Sequence, residues 1–208
     1  MADKTLSEPG LNNAWAAYYE QTGQRPPRPT LIRALDAFDL EGLPISAMAA
    51  DLGCGSGRDL IEMHRRGWAI QAVDASPDAV NAIQNRIELL TQSEIYLQLA
   101  RYEEMELQPC DLVNASFSLP LCSQEDFIHV WQKVRGALKS GGRFSGQLYG
   151  DRDGWFGRKG MNFHTSREVS RLLEGLEVEF FEEEEEDSIT PRGTSKHWHI
   201  FHIVAKKL

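Results

Sequence analysis

The sequence predicts an α/β protein built on a doubly wound, mostly parallel sheet. Three observations predict it. Strand-like and helix-like segments alternate over the first 150 residues, the signature of crossover units. A glycine turn, Gly53-Cys54-Gly55-Ser56-Gly57, follows the first strand and runs straight into helical spacing. Two strand-like segments at the C-terminal end read as a hairpin, which adds one antiparallel strand.

Composition narrows the class. The chain has 208 residues, 41% of them hydrophobic, which suits one globular domain with a sizeable core. The formal charge of −9 goes with no basic face, which argues against nucleic acid and against an anionic membrane surface. No apolar run reaches the roughly 18 residues of a membrane span. The polar start, Met1 to Glu8, lacks the apolar core of a secretory signal. Three scattered cysteines, 54, 110 and 122, read as reduced thiols of a cytoplasmic protein, with no disulfide frame and no metal site.

The elements follow in order. Residues 1–11 look frayed, and Asn12 or Asn13 caps a short helix, Ala14 to Glu20, carrying Trp15, Tyr18 and Tyr19. Arg25-Pro26-Pro27-Arg28-Pro29 is a connector, since its prolines remove donors and fix φ. A helix runs from about Pro29 to Phe38. The first strand spans about Ala47 to Leu52, and the helix after the glycine turn runs to Arg66, ended by Gly67. The second strand, Trp68 to Val73, finishes on Asp74. Ser76-Pro77-Asp78 opens the next helix with a cap, a first-position proline and a first-turn acid; Ala79, Ile83, Ile87 and Leu90 mark its buried stripe. Strands three and four are Glu94 to Ala100 and Asp111 to Ala115. Ser123 to Asp126 resembles a capping box for a helix from about Gln124 to Leu138, stopped by Lys139-Ser140-Gly141-Gly142. Strand five is Arg143 to Tyr149, and residues 150–164 form a surface loop. Thr165 to Glu168 is another capping box, for a helix ending near Glu174. The last two strands are about Leu176 to Glu184 and His197 to Ala205, joined by a long loop. The six consecutive acids Glu182 to Asp187 read as a solvated hairpin end beyond the sheet, and His197 and His199, on one face of the last strand, as a core or edge histidine pair rather than metal ligands.

The glycine turn removes side chains where a helix N-terminus points, so it builds a ligand cradle. A dinucleotide site prefers G-x-G-x-x-G; here the spacing is G-x-G-x-G with Asp51 just ahead, an acid that repels a pyrophosphate and suits a cationic ligand. Asp74 lies 17 residues after Gly57, where a carboxylate at a strand end meets ribose hydroxyls.

These residues carry a resemblance. Asp51 to Gly57 resembles motif I of the class I S-adenosylmethionine-dependent methyltransferases, Val73-Asp74-Ala75-Ser76 their motif II, and Leu138 to Phe144 the segment before their fifth strand, with Ser140 in place of proline. The C-terminal layout is similar to that of tellurite-resistance and thiopurine-type methyltransferases. The resemblance covers residues 45–150 and implies a seven-stranded Rossmann-like sheet of order 3-2-1-4-5-7-6, last strand antiparallel. It implies Gly53, Cys54 and Gly55 along the methionine part of the cofactor, Asp51 near its ammonium, Asp74 on the ribose and Ala75 beside the adenine. Arg101 stands where the family commonly has an adenine-reading acid, which leaves the Tyr102 backbone or Glu103 for that contact. Asn114 to Phe117 matches motif IV, beside the methyl group. Arg28 or Tyr19 is expected to hold the cofactor carboxylate. If the acceptor is a hydroxyl, His164, Asp151 or Tyr149 is the candidate base.

The expected arrangement is a helical lid over residues 1–44, a cofactor core over 45–150 and an acceptor-side loop, helix and hairpin over 151–208. The expected activity is methyl transfer from S-adenosylmethionine, leaving S-adenosylhomocysteine, to a small O, N, S or chalcogen acceptor. A protein substrate, or a regulatory cofactor-binding role without catalysis, stands as the alternative. The expected state is a monomer or homodimer.

Overall fold

The computed structural model describes residues 23, 25–42, 44–87, 94–190 and 193–208. The expected helix bearing Trp15, Tyr18 and Tyr19, and Leu90 of the third helix, lie outside the described residues. Among the described residues no helix is long and apolar enough to cross a membrane.

Thirteen elements are named here in chain order: α1 (Pro29–Glu41), β1 (Met48–Leu52), α2 (Arg58–Arg65), β2 (Ala69–Asp74), α3 (Pro77–Ile87), β3 (Ile95–Leu99), β4 (Cys110–Ala115), a 3-10 turn (Leu119–Leu121), α4 (Phe127–Ala137), β5 (Leu138–Tyr149), α5 (Ser166–Leu172), β6 (Leu176–Ile189) and β7 (Ser195–Lys207). The strands form one seven-stranded sheet of order β3-β2-β1-β4-β5-β7-β6. β1 to β5 run parallel, and β7 lies antiparallel between β5 and β6. This is the sheet order that the resemblance implies. Helices cover both faces. Leu31, Leu35 and Phe38 of α1, Leu60 and Met63 of α2 and Ile83 of α3 pack on one side against Ile70, Leu112 and Val204. Phe127, Val130 and Trp131 of α4 and Val169 of α5 pack on the other against Leu52, Val113, Phe144 and Phe201.

Local signals account for several boundaries. Thr165 and Glu168 form the expected reciprocal capping box, and Gly67 ends α2 with φ 83°. Others shift. Ser76 does not cap with its hydroxyl, which is buried without a partner; its N–H donates instead to Asp74 Oδ1 at 2.8 Å. Ser123 and Asp126 bond each other, but they close a turn, and α4 starts only at Phe127.

Two expectations are overturned. Lys139 to Gly142 does not separate α4 from β5: the strand starts at Leu138, directly out of the helix. Gly142 permits this because a Cβ there would meet the Lys139 and Asp111 carbonyl oxygens at 2.9 and 3.0 Å. The acidic run does not protrude either. Glu182 to Asp187 pair residue by residue with His202 to His197 of β7, so β6 continues to Ile189 and β7 starts at Ser195, which leaves a shorter connection than expected. Cationic and histidine partners make acids tolerable in a strand here: Arg152 bonds Glu183 and Glu185, His199 bonds Glu183, His202 bonds Glu184, and His197 bonds Asp187.

The 150–164 loop is held by a buried pair. Lys196 Nζ lies 2.8 Å from Asp153 Oδ2, with both side chains almost fully buried, and 3.3 and 3.9 Å from the ring centres of Trp198 and Trp155.

Candidate functional site

The carboxyl ends of β1, β2 and β4 meet at the switch of strand order, where open α/β sheets bind ligands. The turn after β1 is fastened to β2: the Gly53 and Cys54 N–H groups donate to the Val73 carbonyl, and Gly55 N–H donates to Asp74 Oδ2 at 2.9 Å. Gly53 has φ 68°, and a Cβ there would sit 2.5 Å from Ser118 Cβ and 2.7 Å from Tyr102 Oη. The space over Gly53 is thus filled by protein side chains. Ser118 is fixed there by donating to the Leu52 carbonyl at 2.5 Å.

Three acids crowd this turn. Asn114, fully buried on β4, donates to Asp51 Oδ1 at 2.9 Å and to Asp59 Oδ2 at 3.1 Å. Its own Oδ1 accepts from Ser145 Oγ at 2.8 Å and Ser116 Oγ at 3.3 Å. The Arg28 N–H donates to Asp59 Oδ1 at 3.0 Å. Asp51 Oδ2 is buried and has no partner. Burial, then the charge of Asp59, pushes the Asp51 carboxyl well above the usual carboxylate range. Burial likewise raises Asp74, against the pull of its backbone hydrogen bonds. Burial and the two neighbouring carboxylates raise the Cys54 thiol. A carboxyl raised in this way favours its neutral form, and a cation placed beside Asp51 Oδ2 would favour the ionised one.

The remaining candidates fall in separate places. Ala75 is exposed beside Asp74. Tyr102 is pushed upward by burial, with Asp74 and Cys54 close by. Arg101 bonds Glu103 at 2.6 Å. Phe117, just after β4, takes φ 55°, unusual for an aromatic residue. Its N–H donates to Gln147 Oε1, whose amide in turn donates to Thr30 Oγ1. The Arg28 guanidinium lies 4.2 Å over the Phe117 ring. Tyr19 lies outside the described residues. The three candidate bases lie at the end of β5 and in the 150–164 segment. His164 is buried against Phe127, its Nε2 2.8 Å from Asn162 Oδ1, and burial lowers its pKa to about 4. Tyr149 is buried among aromatic rings, with Phe163 at 6.3 Å and Trp198 at 6.1 Å. Asp151 sits 3.6 Å from His199 Nδ1, at the foot of the acidic strand.

A cavity of about 330 Å³ opens between α1 and the β5–β7–β6 face, lined by Arg28, Arg33, Phe117, Phe180, Glu184 and His202 among others. Sequence reasoning missed Asp59, Ser118, Gln147 and this cavity. Asp59 was readable as a first-turn acid after the glycine turn; the others meet only through the sheet order.

Comparison with known proteins gives the class first. Residues 49–142 match the family model described as "Methyltransferase domain". The stretch contains the glycine turn, Asp74 and Asn114, and the fold around it is that of the S-adenosylmethionine-dependent methyltransferases. Particular structures follow. TehB from Haemophilus influenzae is 15% identical with a TM-score of 0.69, covering 85% of this chain and 62% of its own, so the chain spans less than two thirds of that protein. The magnesium protoporphyrin IX methyltransferase ChlM from Synechocystis PCC 6803, solved with bound S-adenosylmethionine, is 13% identical with a TM-score of 0.71, covering 100% and 98% of the two chains. The 1,6-didemethyltoxoflavin-N1-methyltransferase of Burkholderia thailandensis, solved with 1,6-didemethyltoxoflavin and S-adenosylhomocysteine, is 15% identical with a TM-score of 0.64, covering 100% and 91%. No curated protein matches the chain.

Proposed function

We propose that the chain is an S-adenosylmethionine-dependent methyltransferase acting on a small-molecule acceptor. The observation that carries this reading is Asp51 Oδ2, buried and unpartnered within a glycine turn that Asp59 and Asp74 also border. That chemistry fits a ligand with an ammonium, a sulfonium and a ribose diol, and fits a dinucleotide poorly. When bound, the cofactor supplies an electrophilic methyl group.

The chain's own residues then have separate tasks. Asp51 faces the ammonium. Asp74 accepts from the ribose hydroxyls with the lone pairs left free by Gly55 and Ser76, beside Ala75. Cys54 and Gly55 offer bare backbone to the methionine chain. Arg28, whose backbone is tied to Asp59 and whose guanidinium lies over Phe117, would have to swing from that ring to reach the cofactor carboxylate, and Tyr102 borders the adenine side. Asn114 fixes Asp51 and Asp59 in orientation. Buried Asp51 and Asn114, with half-buried Phe117, would hold water away from a bound sulfonium, and a drier site would favour chemistry in which positive charge is lost. Residues 1–44 serve as the cover, 45–150 as the cofactor core and 151–208 as the acceptor side. The acidic surface supports a small acceptor rather than RNA, and the working state is a cytoplasmic monomer or homodimer.

Calorimetric titration tests this directly. Wild-type protein is expected to bind S-adenosylmethionine, and Asp74→Ala to weaken binding about 10- to 100-fold, since hydrogen bonds to a charged group contribute about 1.5–3 kcal/mol. Undetectable binding by the wild type refutes the reading.

A further inference from the structure

We propose that the cavity between α1 and the β5–β7–β6 face takes the methyl acceptor, and that the acceptor is an aromatic alcohol whose hydroxyl proton passes to His202, held by Glu184. The proposal rests on the methyltransferase reading and adds the acceptor class and the base.

The cavity, at about 330 Å³, lies at the lower end of the range for small-molecule sites. It is linked to the start of α2, after the glycine turn, through Arg28. Arg28 belongs to both: its N–H holds Asp59 beside the turn, and its guanidinium covers Phe117 in the cavity wall. Phe117 and Phe180 give the cavity aromatic surface, with Arg33 stacked 4.1 Å over the second ring. Rings and flat cations together suit a planar aromatic guest.

His202 is the imidazole of that cavity. It stands on β7 opposite Gln147 of β5 and Glu182 of β6, and opposite strand neighbours share a sheet face. Its ring centre is 6.1 Å from that of Phe117. Its Nε2 lies 2.8 Å from Glu184 Oε2. A carboxylate accepts only, so Nε2 carries the hydrogen and Nδ1 keeps the lone pair that takes a proton. The charged groups facing this imidazole are Arg28 and Arg33 from α1 and Glu182 and Glu184 from β6. The other histidines of this region are committed elsewhere: His164 packs on Phe127, His199 is sealed under Gly150 beside Glu183, and His197 meets Asp187 at the far end of the hairpin. A thiolate acceptor needs no base, whereas a carboxylate-held imidazole is what a hydroxyl requires.

The step balances. The acceptor O–H bond breaks and its proton goes to His202 Nδ1. The oxygen lone pair forms the new C–O bond, and the electron pair of the broken C–S bond stays on sulfur. The imidazolium then gives its proton to water, so each turnover yields an aryl methyl ether, S-adenosylhomocysteine and one proton.

The test uses catechol, 2-naphthol and thiophenol with labelled cofactor, and calorimetry of 2-naphthol binding in the presence of S-adenosylhomocysteine. The expected result is methylation of at least one phenol. His202→Gln is expected to lower kcat about 100-fold or more, to change the cofactor Kd little and to remove the acidic limb of the pH profile. Glu184→Gln is expected to give a smaller loss in kcat with KM nearly unchanged, which covers the case in which His202→Gln does not fold. Unaltered kcat and pH profile in these variants overturn the proposal. So does a wild-type protein that binds cofactor yet neither binds 2-naphthol nor methylates a phenol, including one that methylates thiophenol alone. Failure of the wild type to bind cofactor is a different result and overturns the underlying reading.

Discussion

Asp51 carries its charge where the fold opposes it. The carboxyl is buried, Asp59 is close, and Asn114 is its neutral donor. Its folded-state pKa is raised, so the stability it contributes is fully present below the unfolded value near 4 and is lost as pH rises through the folded one. Thermal stability of the ligand-free protein is therefore expected to fall from mildly acidic to mildly alkaline pH, and Asp51→Asn to flatten part of that fall. Buried Asp74 and the carboxylate-paired His197 shift in the same direction, so the difference between wild type and variant is the quantity to measure. Cofactor binding near pH 7 is expected to release protons, seen as a binding heat that depends on the buffer's ionisation enthalpy. Equal buffer dependence in wild type and Asp51→Asn refutes this. At this scale the sequence exposed the acids and the glycines, because their chemistry is local to one turn. It did not expose Asn114 as the clamp between two carboxylates, since β4 lies beside β1 only after the chain has crossed over.

The elements show where local signals stop. Thr165 and Glu168 announce a helix start because both partners lie within one turn. The acids of β6 announce a loop by composition, yet form a strand, because their partners Arg152, His199 and His202 come from other segments. Lys139 to Gly142 reads as a stop because glycines usually end helices; here one glycine lets two backbones approach. The loop between β5 and α5 has one fully buried ionic contact, Lys196 with Asp153, beside the more exposed pairs of Arg152. Lys196→Met leaves Asp153 buried without its counter-charge, and removing one partner of such a pair costs about 3–5 kcal/mol. Urea denaturation is expected to show a loss of that size, with Lys196→Met/Asp153→Leu recovering part of it. A change below about 1 kcal/mol in the single variant contradicts a buried, mutually dependent pair.

Across the whole molecule the two faces of the sheet differ in use. One is sealed by α4 and α5 over a continuous apolar cluster, and the other combines apolar packing under α1 to α3 with the cavity beside β7. Among the described residues the outer strand, β6, runs 14 residues along the edge of the sheet with no strand beyond it. Charged side chains on such an edge discourage pairing with another chain. Glu177→Val together with Glu186→Val is expected to promote self-association, measured by light scattering at matched concentration; an unchanged monomer fraction contradicts that role for the acids.

The place of β7 also has a temporal meaning. It is the last strand in sequence, yet it lies inside the sheet, between β5 and β6. During synthesis β5 waits with an open flank until β7 emerges. Only five residues separate Ile189 of β6 from Ser195 of β7, so the two strands meet with little loss of chain entropy. Insertion of β7 between β5 and β6 also closes the wall that carries His202.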